Sequence, residues 1–215
     1  MPLFPLFIDL KGKKCVIVGG GRVATRKIES LVGFEAEITV VSPEITGRIQ
    51  ELEKDKKLCT VRRGFEEGDL EGAFMAIAAA SDRQVNQRVY GEAVKRNIHV
   101  NVADDPQKCT FVFPSLVKRN DLVVGISTSR SYPALSKKIR QKIEEVLPGT
   151  YGERLEILKD SRIRAEKEVR DIEVRKKLLD RILEEVLLFE AGAPEEQLIS
   201  RLDRIFGEYG NEKVD

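Results

Sequence analysis

Apolar and polar positions change rhythm twice along this chain. In the first hundred residues, short apolar runs alternate with amphipathic ones. KKCVIV at 13–18 lies between Gly12 and Gly19 and reads as a buried strand. RVATRKIESLV at 22–32 puts Val23, Ile28, Leu31 and Val32 on a broken helical stripe. EITVVSP at 37–43 reads as a second strand, stopped by Pro43, and 44–54 as a helix. LCTVRR at 58–63 is a third strand. AFMAIAAA at 73–80 is too short for a typical helix and fits a strand covered on both faces. RQVNQRVYGEAVKR at 83–96 is helical, and IHVNVA at 98–103 is a fifth strand. Strand and helix alternate throughout, which predicts an α/β fold: a Rossmann-like parallel sheet with helices on both faces.

The rhythm breaks after Pro106. FVFPSLVKRNDLVVGIST at 111–128 holds strand-like runs with no long helix between them, and Arg119-Asn120-Asp121 suggests a hairpin turn. A helix from Pro133 to Val146 follows, stopped by Pro148-Gly149. This reads as an α+β element separate from the first sheet. From Tyr151 the chain is helical and highly charged, with Leu, Ile and Val at helical spacing over 153–190. Ala191-Gly192-Ala193-Pro194 breaks the run, and 195–207 forms a last helix. The expected organisation is therefore a Rossmann-like domain at 1–113, an α+β segment at 114–150 and a small helical domain at 151–215.

Charge and composition narrow the function. The net charge of +1 argues against a dedicated nucleic-acid binder. No apolar stretch approaches the ~20 residues of a transmembrane helix, so no membrane partner is expected. The opening MPLFPLFIDLKGKK has two prolines and no long apolar run, unlike a signal peptide. Cys15, Cys59 and Cys109 are widely spaced, as in a reduced, cytoplasmic protein. No Cys/His spacing resembles a zinc site, so no metal is expected, and His99 reads as a packing residue in a strand. Neither a G-x-S-x-G elbow nor a Walker A loop is present.

The first strand runs into Gly19-Gly20-Gly21, and with Ala24 the turn reads G-x-G-x-x-A before a helix. The first glycine permits the tight turn, the second lets backbone approach a pyrophosphate, and the small third residue lets helix and strand pack closely. The helix N-terminus then offers free N–H groups to the anion. Gly19, Gly20, Gly21, Arg22 and Val23 are the expected cofactor contacts, with Ser42, Pro43 and Glu44 beyond the second strand and Ala80 after the fourth. No Arg stands at the second strand's tip to receive a 2′-phosphate, and Arg48 lies further on, which favours NAD over NADP.

Asn101-Val102-Ala103-Asp104-Asp105-Pro106 follows the fifth strand, where such sheets bind ligands. Paired acids there suit proton chemistry; they suit an Asx turn before Pro106 equally well. Lys118, Arg119, Arg130, Lys137, Lys138, Arg140 and Lys142 form a basic set. It is either ordinary surface charge or a site for an anionic substrate.

GGGRVATRK, AIAAASD with Asn86 in VNQRV, NVADDPQKCTFVFPSLVKRNDLVVGISTS and Pro133-Ala134-Leu135 together resemble the precorrin-2 dehydrogenase/ferrochelatase family, the N-terminal module of siroheme synthases. The resemblance covers about 1–150 in consistent order, and 151–215 resembles the family's helical domain more weakly. It implies NAD-dependent oxidation of precorrin-2 to sirohydrochlorin, insertion of Fe²⁺ in some members, and a homodimer joined largely after residue 113, which makes the α+β segment at 114–150 a dimerisation domain. Methylation would belong to another protein. The family's key aspartate matches Asp104, the proposed base. Asp105, Lys118, Arg119, Thr128, Arg130, Lys137 and Lys138 become candidates for binding the carboxylates of precorrin-2 and sirohydrochlorin. Thr128 stands where the family has a serine.

Two other classes compete. A regulatory dinucleotide sensor also carries a glycine turn and dimerises, but would more typically have an acid at the second strand's tip and needs no NVADDP stretch. A helical interaction protein would suit the charged C-terminal third alone. Only the enzyme makes NADH from precorrin-2.

Overall fold

The computed structural model describes residues 2–189 and 194–210. It divides into two compact units, Phe4–Pro114 and the chain from Ser115 onward.

The first unit is a five-stranded parallel sheet. Its strands are β1 (Lys14–Val18), β2 (Glu37–Val41), β3 (Cys59–Val61), β4 (Met75–Ala78) and β5 (His99–Val102), in spatial order β3-β2-β1-β4-β5. Helices α1 (Arg22–Val32), α2 (Gly47–Lys54) and α3 (Arg83–Lys95) make the crossovers. Side chains alternate across a strand, so β1 feeds two cores. Cys15 and Ile17 join Ile38, Val40 and Ile77 under α1 and α2, packed against Ile28, Leu31, Ile49 and Leu52. Val16 and Val18 join Ala76, Ala78, Val100 and Val102 on the opposite face, under Val89 and Ala93 of α3. Coverage of both faces explains why β1 and β4 are apolar without alternation. The α/β, Rossmann-like expectation holds. Among boundaries, α1 falls where expected, while α2 starts at Gly47 rather than 44. Ser42 Oγ donates to the Glu44 carbonyl at 2.6 Å, closing a turn that keeps 42–44 out of the helix. Thr46 then caps α2 by accepting from Ile49 N.

Cys15 is wholly buried in this sheet, and burial pushes its thiol up to about 11. The folded state therefore holds the thiol proton more tightly than the unfolded chain does. The resulting stability is complete below the unfolded thiol's value, ~8.5, and is lost as pH rises through about 11. In native protein at pH 8, iodoacetamide is expected to modify exposed Cys59 and spare Cys15 until urea unfolds the chain. Peptide mass mapping checks this, and Cys15→Ala should flatten part of the alkaline loss of stability.

The second unit opens with a hairpin, β6 (Ser115–Arg119) and β7 (Leu122–Ile126), paired antiparallel with Arg119 opposite Leu122. Asn120 takes the left-handed backbone (φ 51°) that such a short turn demands. Helix α4 (Pro133–Val146) packs on the hairpin, and Arg119 Nε donates to the Leu147 carbonyl at its end. Helices α5 (Thr150–Glu168), α6 (Ile172–Leu188) and α7 (Glu195–Gly210) share a core of Ala165, Leu178, Ile182, Val186, Leu198, Leu202 and Phe206. The expected run over 153–190 is therefore two helices. It breaks at Val169-Arg170-Asp171, where the Asp171 carboxylate accepts from Glu173 N and Val174 N and starts α6. Residues 191–193, the expected break, lie outside the described residues. No described helix is long and apolar enough to cross a membrane.

Candidate functional site

In a parallel sheet of order β3-β2-β1-β4-β5, the crossovers leave β1 in opposite directions, and a crevice opens at the carboxyl ends of β1 and β4. The glycine turn sits there. Gly19 N donates to Val41 O at 2.9 Å, and Gly19 has φ 120°, which a side chain would strain. A Cβ on Gly19 would lie 2.4 Å from Ala79 O, and one on Gly20 would lie 2.0 Å from Glu44 O, so both glycines are required by backbone packing. Gly21 differs. Its φ is −85°, and a Cβ there would meet nothing within 4 Å. It is the N-cap of α1, with no side-chain cap. The N–H groups of Arg22, Val23 and Ala24 precede the first α-helical bonds and face this open ground. That is a fit for a pyrophosphate. Arg22 and Val23 are exposed beside it.

Two threonines lock the turn. Thr25 Oγ1 donates to Gly21 O at 3.0 Å and lies 2.9 Å from Thr46 Oγ1, while Thr46 N donates to Gly20 O. At the tip of β2, Ser42 is buried and engaged with Glu44, whereas Pro43 and Glu44 are exposed. The arginines of α2 and of the segment after β3 are paired. Arg48 holds Glu29 and Glu51, each at 3.0 Å. Arg62 holds Glu53. Arg63 grips Asp69, whose carboxyl it keeps below its usual range.

The next strands extend the same edge. Ala79 N donates to Val18 O, and Ala103 N to Ala78 O. Asp104 follows directly, two strands from the glycine turn, or ~10 Å at the usual strand spacing. Its side chain is 33% exposed and lines a cleft of about 290 Å³ with Arg83, Asn86, Gln87, Val102, Asp105 and Lys108. Typical ligand pockets span ~300–1,000 Å³, so this cleft lies at the small end of that range. Asp104 Oδ2 lies 3.5 Å from Arg83 Nε, and Oδ1 accepts from Asn86 Nδ2 at 3.1 Å. Asp105 faces a different task. It accepts from Gln107 N and pairs with Lys108 at 2.7 Å, which lowers its carboxyl from the usual range. Ala80 is held on both backbone polar groups by Asn86.

The remaining candidates belong to the second unit. Lys118 and Arg119 end β6. Thr128 Oγ1 accepts from Tyr132 N in the turn before α4, where Ser129 and Arg130 take consecutive left-handed conformations (φ 51° and 70°). Lys137 and Lys138 are exposed on α4. His99 stands at the opposite end of β5 from Asp104 and meets the Phe74 ring edge-on at 5.6 Å. Among the described residues, no group of three or more His, Cys, Asp or Glu could hold a metal ion.

Sequence patterning did not single out three contributors: the Thr25–Thr46 lock, Asn86 as a holder of Asp104, and Lys27. Lys27 donates to Asn101 Oδ1 at 2.7 Å and lies 4.3 Å from the Phe113 ring centroid, with its pKa lowered chiefly by burial. Its only sequence signal was its place in the helix six residues past the last glycine.

Residues 6–115 match the family described as "Putative NAD(P)-binding". The chain belongs to this NAD(P)-binding family. Curated relatives include the siroheme synthase of Thioalkalivibrio sulfidiphilus, 35% identical over 86% of this chain and 38% of its own length. That of Methylobacillus flagellatus is 40% identical over 71% of this chain and 32% of its own. That of Ectopseudomonas mendocina is 36% identical over 91% and 42%. The chain thus spans about two fifths of these relatives or less. Among solved structures, "SirC, precorrin-2 dehydrogenase" superposes with a TM-score of 0.75 at 25% identity, covering 94% of this chain and all of that one. The resemblance read from the sequence is borne out.

Proposed function

We propose that this protein is an oxidoreductase that oxidises precorrin-2 to sirohydrochlorin, with NAD as hydride acceptor. The observation that carries the reading is the placement, on one sheet edge, of an uncapped glycine cradle and a cleft-lining carboxylate two strands away. In this reading the N–H groups of Arg22, Val23 and Ala24 hold the pyrophosphate, and Ala80 faces the cofactor at the end of β4. When bound, the nicotinamide would supply the hydride acceptor. Asp104 takes the proton that leaves the macrocycle, the balance of the two electrons and one proton being what a hydride acceptor would remove. NAD rather than NADP is supported by the tip of β2, where Ser42, Pro43 and Glu44 stand and no arginine is placed to meet a 2′-phosphate.

The substrate's carboxylates are assigned to the basic residues of the second unit, Lys118, Arg130, Lys137 and Lys138. Arg119 is assigned there less directly, since its Nε is engaged at Leu147. Thr128 contributes through the turn it closes before α4. A homodimer belongs to the same reading. Helix α4 with its preceding residue exposes Tyr132, Leu135 and Val146. A second copy covering these side chains accounts for them, and light scattering tests it.

The decisive experiment is precorrin-2 plus NAD, followed by NADH absorbance. NADH formation supports the enzyme; none, with NAD binding intact, returns the molecule to a dinucleotide sensor. KM for precorrin-2 is also expected to rise with salt, because exposed charges are screened over ~8–10 Å near physiological ionic strength. A KM independent of salt would make the basic set ordinary surface. Adding Fe²⁺ once NADH formation ends tests metal insertion by the macrocycle's absorbance.

A further inference from the structure

Asn86 occupies the second turn of α3 and is 2% exposed. A helix facing a sheet at that depth normally presents an apolar side chain; its neighbours Val89 and Ala93 do so. A buried primary amide is kept only where its polar atoms find partners. Here Oδ1 accepts from Ala80 N at 3.0 Å, and Nδ2 donates to Ala80 O at 3.0 Å and to Asp104 Oδ1 at 3.1 Å. The orientation is fixed by chemistry, since a backbone N–H can only donate and must face the amide oxygen. The nitrogen then necessarily meets Asp104. Anchoring the β4–α3 loop needs only the two bonds to Ala80. The third, across 18 residues of sequence, is superfluous for that purpose.

We propose that Asn86 is a positioning residue for the dehydrogenation, joining the cofactor-side backbone at Ala80 and the Asp104 carboxylate into one rigid unit. This rests on Asp104 being the base. By donating to Oδ1, Asn86 makes that oxygen an acceptor and leaves Oδ2 as the atom that takes the substrate's proton. Oδ2 has Arg83 as its neighbour, on a side chain 89% exposed, so solvent screens that contact and leaves the oxygen accessible. The other charged groups lining the cleft, Asp105 and Lys108, are paired with each other.

Four enzymes test the proposal: Asn86→Ala, Asn86→Asp, Asp104→Asn, and Asn86→Ala with Asp104→Asn. Asn86→Ala should lower kcat ~10–100-fold with little change in KM, the scale on which misplaced catalytic groups cost rate. Asn86→Asp keeps an acceptor for Ala80 N but sets a carboxylate beside Asp104. Two carboxyls in contact titrate as a coupled pair, so the acidic limb of kcat against pH should shift by ~1 unit or more from its wild-type position. Compared at saturating NAD, so that any loosening of Ala80 is read as KM for NAD, the double variant should be no slower than Asp104→Asn alone within ~2-fold, because Asn86 acts on the chemical step through Asp104. Losses that multiply in the double variant, or an acidic limb unmoved in Asn86→Asp, would overturn the proposal. Should Asn86→Ala fail to fold, by its melting curve, the pH profile of Asn86→Asp decides alone. A fully active Asp104→Asn would instead remove the base assignment, a distinct result.

Discussion

Asp104→Asn is expected to lower kcat by ~10²–10⁴, the usual weight of a general acid–base group, while melting temperature and NAD affinity stay at wild-type values. Asn matches Asp in size but takes no proton at working pH. Its side-chain oxygen still accepts from Asn86 Nδ2, so the geometry at Ala80 survives. The charge removed faces only Arg83, which is solvated, so the fold loses little. Asp105→Asn should cost much less in rate. That carboxylate caps the following turn and pairs with Lys108, and its removal affects the turn rather than the chemistry. Steady-state NADH formation on both variants, beside thermal melts, checks the pair. Full activity in Asp104→Asn, or a larger loss in Asp105→Asn, would mean that the wrong acid has been chosen. Any Fe²⁺ insertion by the wild type should fall in the same Asp104 variant, since one carboxylate is proposed to serve both steps.

Much of this arrangement was legible in the sequence, for local reasons. Strand β1 is apolar on both faces and ends at glycine, so its extent and that of α1 follow from neighbouring residues alone. Asp104 and Asp105 stood out together because they follow a strand's carboxyl end, and the family resemblance singled out Asp104 of the two. The misses are equally local or else entirely non-local. The α5–α6 break carries neither Gly nor Pro. Its signal was Asp171, a side chain no different in kind from Asp160 and Asp180, which lie inside helices. The start of α2 was obscured because Ser42 and Thr46 are both good caps, and only the hydroxyl-to-carbonyl bond at Glu44 shows which one begins the helix. Asn86 meets Asp104, and Thr25 meets Thr46, only because crossovers return the chain to the same sheet edge. Spacing along the sequence encodes neither contact.

Gly21→Asp is the second large effect, and its value lies in opposing two readouts. The backbone at Gly21 suits any residue (φ −85°), and a Cβ there meets nothing within 4 Å, so the fold has no need of glycine. Asp is moreover a preferred N-cap. Its carboxylate would accept from the N–H of Val23 or Ala24, and an N-cap of this kind stabilises a helix by ~1 kcal/mol relative to an uncapped start. Melting temperature should therefore hold or rise slightly. NAD binding should fall by at least ~10²-fold. The new carboxylate takes donors that the pyrophosphate requires, each such charge-assisted bond being worth ~1.5–3 kcal/mol, and adds repulsion between like charges. Gly20→Ala provides the contrast. Its Cβ would lie 2.0 Å from Glu44 O, so the turn itself must open, and stability and binding should fall together. Calorimetric titration with NAD, alongside thermal melts of both variants, separates the two glycines. Wild-type NAD affinity in Gly21→Asp would remove the cofactor from this turn, whatever the family match at residues 6–115.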